Sequence, residues 1–149
     1  MRTLDLRPWT PDHAVVDNPP MTRSEAVTLG VRVEVESELI RERSDATRNH
    51  WFFAYHVQIT NEGSRTVQLV SRHWIISDAN GAVEHVRGRG VVGQQPMLRG
   101  GQSYRYTSFC PLRTSFGMMH GSFHMVPAGG EPFDAEIAPF ALGEPELLQ

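Results

Sequence analysis

The sequence predicts an all-β protein, an antiparallel β-sandwich of about seven strands and of immunoglobulin or fibronectin type III kind. Three observations carry this. Apolar and polar residues alternate over segment after segment, as half-buried strands require when successive side chains point to opposite faces. Clusters of Asn, Asp, Gly and Ser separate these segments at short intervals. No stretch keeps a helical period long enough to supply the crossover helices of a parallel sheet. The 149 residues fit one domain. A domain of this size buries about 68–70% of the surface its unfolded chain exposes, so it needs no disulfide or metal staple.

Residues 1–22 are rich in proline and show no sustained period, which predicts a disordered or loosely packed arm. Met21 is a candidate alternative start. The patterned domain spans 23–141, and 142–149 reads as a C-terminal tail. Val27, Leu29, Val31, Val33 and Val35 alternate with polar residues and predict one strand from Ala26 onward. The polar run Leu39 to Asn49 predicts a mobile connection. Trp51, Phe53, Tyr55, Val57 and Ile59 form the next inward row, closed by the turn Asn61-Glu62-Gly63-Ser64.

The third strand is expected from Thr66 to Ser77. Asp78-Ala79-Asn80-Gly81 then makes a tight turn, with Gly81 free to take positive φ. Ala82 to Val86 returns as a short strand. Gly88 to Gly101 reads as a long loop with five glycines and one proline. Gln102 to Thr107 is expected as a strand and Cys110 to Ser115 as a connection containing Pro111. Gly117 to Val126 and Glu131 to Ile137 complete the set around the Gly129-Gly130 turn.

Composition excludes several chemistries. All 14 basic side chains are arginine, so neither a Schiff base nor a phosphate-loop lysine can form within the chain. The net charge of −3 implies no nucleic-acid footprint. Cys110 is the single cysteine, which removes internal disulfides and multi-cysteine zinc sites and suits a reducing cytoplasm. No apolar run approaches the ~18 residues of a membrane helix, and the N-terminus has no apolar core of signal-peptide type. The expectation is a cytoplasmic protein with no membrane and no nucleic-acid partner.

The clearest short motif is Gly88-Arg89-Gly90-Val91-Val92-Gly93. In a dinucleotide fold a G-x-G-x-x-G opens a helix whose N-terminus binds pyrophosphate. Here Gln94-Gln95-Pro96 follows, and no helix can extend. Two readings stay open. The loop amides at Gly88, Gly90 and Gly93 form a concavity that binds an anion, with charge from Arg87, Arg89 and Arg99; or the glycines serve backbone geometry alone.

Seven histidines form no metal motif. His120 and His124 on one strand are roughly 13 Å apart at about 3.3 Å per residue, too far to share a metal. A site would need His56, His73 or His85 from neighbouring strands. Cys110 with a nearby histidine lacks an orienting group, and a buried apolar cysteine is the simpler reading. Glu34 and Glu36 share one strand face and read as solvated carboxylates. In Ser71-Arg72-His73-Trp74, Arg72 and Trp74 share one face. Trp74 is either core or, if exposed beside Arg72, a partner-binding hot spot. No catalytic residue, metal site or cofactor is expected.

The segments VQLVSRHWIISDANG, GRGVVGQQPMLRGGQSYRYTS and FGMMHGSFHMV, in this order, resemble the bacterial ApaG family over about residues 23–141. Ser71-Arg72-His73-Trp74, Asp78-Ala79-Asn80-Gly81, Gly88 to Pro96 and Pro111 with Phe116-Gly117 are the most specific pieces. The resemblance implies a fibronectin type III-like sandwich. It also implies a binding module, since the domain recurs in F-box proteins and in a polymerase δ-interacting protein. Bacterial members are linked to cobalt tolerance and magnesium efflux. The leading expectation is a non-catalytic interaction domain with a protein partner or self-association to a homodimer. The alternative is a protein that binds pyrophosphate, a nucleotide or a divalent cation at loop 88–93.

Overall fold

The computed structural model describes residues 22–144. Nine strands follow one another: β1 (Arg23–Thr28), β2 (Val31–Leu39), β3 (Trp51–Asn61), β4 (Val67–Asp78), β5 (Val83–Arg89), β6 (Met97–Leu98), β7 (Ser103–Leu112), β8 (Gly117–Pro127) and β9 (Phe133–Leu142). They form two antiparallel sheets, ordered β1-β2-β3-β7 and β5-β4-β8-β9, with β6 paired to β4. The sheets pack as a sandwich, the expected class. Most of the N-terminal arm and the last five residues lie outside the described residues. No helix among the described residues is long and apolar enough to cross a membrane.

The first expected strand is in fact two. Leu29 and Gly30 both take positive φ, 46° and 84°, and make a two-residue turn of the kind that matches strand twist. Val31, Val33 and Val35 are buried, but Leu29 is 78% exposed at the turn and Val27 pairs with Arg32 on the outer face. A leucine in the left-handed region is what hides this turn from the alternation. β3 behaves as expected, with Phe53, Tyr55, Val57 and Ile59 buried.

The connection expected to be mobile is folded into two short 3₁₀ turns, 41–43 and 46–48. The Ser44 hydroxyl ties it to β3, donating to the Ile40 carbonyl and accepting from the Phe52 amide. Cys110 and Pro111 belong to β7 and not to a connection. Proline is tolerated there because β7 is the outer strand of its sheet. β9 runs on through Leu142, which is fully buried where the tail was expected to begin.

One side of the sandwich is stitched shut. Ser24 and Ser37 hydroxyls donate to the Ala138 and Ala141 carbonyls of β9, and the Glu136 amide donates to Thr28 Oγ1. On the other side, β5 and β7 are outer strands, and no hydrogen bond joins them among the described residues. Trp74 centres the core, meeting Tyr55, Phe123 and Phe140 edge-on at ring separations of 5.1, 6.1 and 6.0 Å.

Asn61 is the polar pin of the core's margin. Its amide nitrogen donates to the Arg65 and Leu98 carbonyls at 2.7 and 2.9 Å, and its oxygen accepts from the Gly63 amide. This holds the β3–β4 turn against β6.

Candidate functional site

The candidate site is built on the outer face of β4, β5 and β8, and a bulge makes that face. Between Leu69 and Ser71 the register against β8 slips by one residue, Val70. Leu69 is buried below the bulge and Trp74 above it, so parity changes between them. Ser71, His73 and Ile75 therefore face outward while Arg72 and Trp74 face in. The Val70 carbonyl accepts from the Gly90 amide and the Gln95 side chain, at 2.8 and 2.9 Å. One extra residue thus aims β4 and anchors the glycine loop.

Register then assembles three rows across the face. Ser71 lies between Arg89 and His124, His73 between Arg87 and Ser122, and Ile75 between His85 and His120. Gly121 sets the β4–β8 approach: a Cβ there would lie 1.9 Å from the His73 carbonyl oxygen. Beyond β8, β9 places Asp134 opposite His124 and Glu136 opposite Ser122. His124 Nδ1 contacts Asp134 Oδ1 at 2.8 Å. His73 Nε2 and His85 Nδ1 are 2.9 Å apart, with their rings stacked at 5.1 Å. The outcome is a concavity of about 430 Å³ bounded by Ser71, His73, Arg87, Arg89, Ser122 and His124, with Arg72, Gly88 and Asp134 also lining it.

The electrostatics are one-sided. Among the described residues no carboxylate pairs with Arg87 or Arg89. The His73 imidazole is held below its usual range, first by desolvation and then by the charges of Arg87, His85 and His120, with Asp134 opposing. The face thus carries positive charge that resists further protonation.

The glycine loop has a structural use for each of its motif glycines. Arg72 lies over Gly88, where a Cβ would meet its guanidinium at 2.8 Å, and donates to the Arg89 and Gly90 carbonyls at 3.0 and 2.9 Å. At Gly90 a Cβ would lie 2.2 Å from the Gln94 carbonyl oxygen. Val92 and Gly93 take φ of 47° and 77° and close a two-residue turn between Val91 and Gln94. The amides of Gly90, Val91 and Gln94 all donate to protein carbonyls, and Val91 is buried in the core. The charge that the motif brings to the concavity is that of Arg89, while Val92 is exposed at the turn. Arg99 is not part of it, since it sits in the 99–102 turn beyond β6.

Other expected residues resolve as follows. Trp74 is 2% exposed, so it is core and presents nothing to a partner; Arg72 beside it is engaged with the loop carbonyls. This corrects the Arg72–Trp74 hot spot. Glu34 and Glu36 are 5% and 8% exposed rather than solvated, because β1 and β3 side chains flank them on both sides. Burial, then the Glu25 charge, pushes the Glu34 carboxyl up, with Arg32 and Arg23 opposing. Cys110 is buried, and burial followed by the Glu84 charge pushes its thiol up to about 12. His73 and His85 bring two ring nitrogens within 2.9 Å, but the described residues hold no group of three or more that could hold a metal ion.

Sequence reasoning missed His73, His85, Arg87, Ser71 and Ser122 as one group. Half of the signal was present: centring the Asp78–Gly81 hairpin on Asn80 sets His73 opposite Arg87 and Ser71 opposite Arg89. The β8 half depends on the Val70 bulge and had no local signal.

A second feature lies at the β7 edge. Phe109 is 52% exposed and stacks on Phe52 at 5.4 Å, while the Arg43 guanidinium sits 4.0 Å over the Phe52 ring.

Comparison with known proteins places these features in a family. The ApaG domain matches residues 41–127. Protein ApaG of Methylobacterium radiotolerans is 51% identical over 122 residues, covering 82% of this chain and 94% of that protein. Protein ApaG of Anaeromyxobacter sp. strain K is 53% identical over 125 residues, covering 84% and 98%. The crystal structure of the putative ApaA protein from Bordetella pertussis superposes with a TM-score of 0.75 at 44% identity, covering 85% of this chain and 98% of that one. With the domain match spanning more than half of the chain and relatives above half identity over most of it, the chain belongs to the ApaG-domain family.

Proposed function

We propose that this protein is a non-catalytic interaction module whose partner docks on the β7 edge. The observation that carries the reading is Phe109. A large aromatic side chain half in solvent, stacked on Phe52 beneath Arg43, sits on the outer strand of a sheet. Outer strands present unpaired backbone groups to an incoming extended segment, and alternate side chains supply its specificity. Aromatic and arginine side chains are the commonest anchors of such surfaces. The non-catalytic reading is supported by Cys110, whose buried, protonated thiol is a poor nucleophile. In this reading any link to cobalt or magnesium handling runs through the partner.

The test is capture from native extract by chemical crosslinking, comparing the wild type with Phe109→Asp. Thermal melts of both proteins check the fold. Species captured by the wild type should be lost with the variant at unchanged melting temperature. Identical capture by both would place the partner elsewhere. No capture, together with a strict monomer by light scattering, would overturn the module reading.

A further inference from the structure

The β7 edge leaves the opposite face of the molecule without a role, and that face has the chemistry of an anion site. We propose that the outer face of β4, β5 and β8 binds a phosphoryl dianion, with Arg87 and Arg89 as its principal contacts. This proposal stands independently of the β7 reading.

The arrangement of charge and donors on this face supports it. Arg87 and Arg89 alternate along β5 and point to the same side, with no carboxylate partner among the described residues. Their Cα atoms lie one strand repeat apart, roughly 6.6 Å, and both side chains line one concavity, where guanidiniums suit the oxygens of a phosphoryl group. Hydroxyls of Ser71 and Ser122 line the same concavity and supply neutral donors. His73 and His124 complete the wall, and the concavity is open enough to admit a substituent on the phosphate. The two carboxylates on this face, Asp134 and Glu136, are on β9 at the far side, and Asp134 is held by His124. Asp134 bounds the site on that side, leaving the arginines of β5 as its charged wall. Desolvation first, and then the charge of Arg87, keeps His73 from adding further charge to a wall whose arginines have no carboxylate partner among the described residues.

A phosphoryl group can come from a free small molecule or from a phosphorylated side chain of another protein. The chemistry of recognition is shared, and the experiment separates the sources. Amide NMR titrations of the full chain would use inorganic phosphate, pyrophosphate and a phosphoserine peptide. The unphosphorylated peptide and sodium chloride at matched ionic strength serve as controls. Saturable shifts should cluster at Ser71, His73, Arg87, Arg89 and Ser122. Arg89→Gln should weaken binding at least about tenfold, the loss expected for one charge-assisted contact. Arg99→Gln removes the same charge outside the concavity and should leave affinity unchanged. Tighter binding of the phosphopeptide assigns the source to a modified protein; tighter binding of pyrophosphate assigns it to a small molecule. The proposal is overturned if nothing saturates at millimolar ligand, if sodium chloride reproduces the shifts, or if Arg99→Gln weakens binding as much as Arg89→Gln does.

Discussion

Arg32 on one outer face of the sandwich and Arg87 and Arg89 on the other are held in opposite ways. On the β1-β2-β3-β7 face, Arg32 bridges Glu62 and Glu25, with its Nε 2.7 Å from Glu62, and His56 lies between Glu38 and Thr107. On the β5-β4-β8-β9 face, Arg87 and Arg89 have no carboxylate partner among the described residues, and three histidines crowd around Ile75. Both faces are charged and half exposed, so composition does not tell them apart. Pairing does. A face whose charges satisfy one another is finished when the chain folds, whereas one that gathers like charges is complete only with a ligand.

The comparison can be broken most severely from below. Trp74 packs under the unpaired face and touches Tyr55 of the other sheet. Trp74→Ala should cost about 3–5 kcal/mol in urea unfolding, since it leaves a cavity that no neighbour can fill. A loss under ~1 kcal/mol would mean that the two faces do not share one core.

A smaller effect sharpens the contrast directly. Arg32→Ala removes paired charge and should cost roughly 0.5–1 kcal/mol, the range of exposed ion pairs, with the cost shrinking in high salt. Arg87→Ala removes unpaired charge and should leave stability within about 0.5 kcal/mol of the wild type, without salt dependence of that sign. Equal losses in parallel melts would erase the distinction.

The smallest effect concerns Glu34. Its carboxyl is pushed up in the fold, so the folded state holds its proton more tightly than the unfolded one. Wild-type stability therefore falls as pH rises from the ordinary carboxylate range through the raised value. Glu34→Gln lacks that loss. It should match or exceed the wild type by roughly 0.5 kcal/mol or less at neutral pH, and the gain should vanish in acid. A variant less stable at neutral pH would mean that the charged carboxylate is used.

How far the sequence reaches follows from the same two faces. The β3 row is legible because Phe53, Tyr55, Val57 and Ile59 alternate without interruption and all reach the core. β1 and β2 merge in the sequence because Leu29 stands where a turn would ordinarily show Asn or Asp. Strand identity is a local property of this kind and is largely readable. The candidate site is not local. It joins Ser71, His73, Arg87, Arg89 and Ser122 from three strands, and one of the two pairings that joins them is offset by Val70. The glycine motif was visible from the start, yet the amides of Gly90, Val91 and Gln94 serve the fold, and Gly88 and Arg89 are the motif residues that line the concavity.

The Val70 bulge gives β4 one residue more than its pairing with β8 uses, and that residue's carbonyl is what the glycine loop hangs from. A conservative exchange at Leu69, Val70 or Ser71 leaves the phase of the strand alone. Deleting Val70 would iron out the bulge and leave an ordinary alternation, with Leu69 and Trp74 still inward and His73 still outward, but it would remove the carbonyl that holds Gly90 and the Gln95 side chain. In this stretch one surplus residue serves the neighbouring loop while the strand around it keeps its own phase.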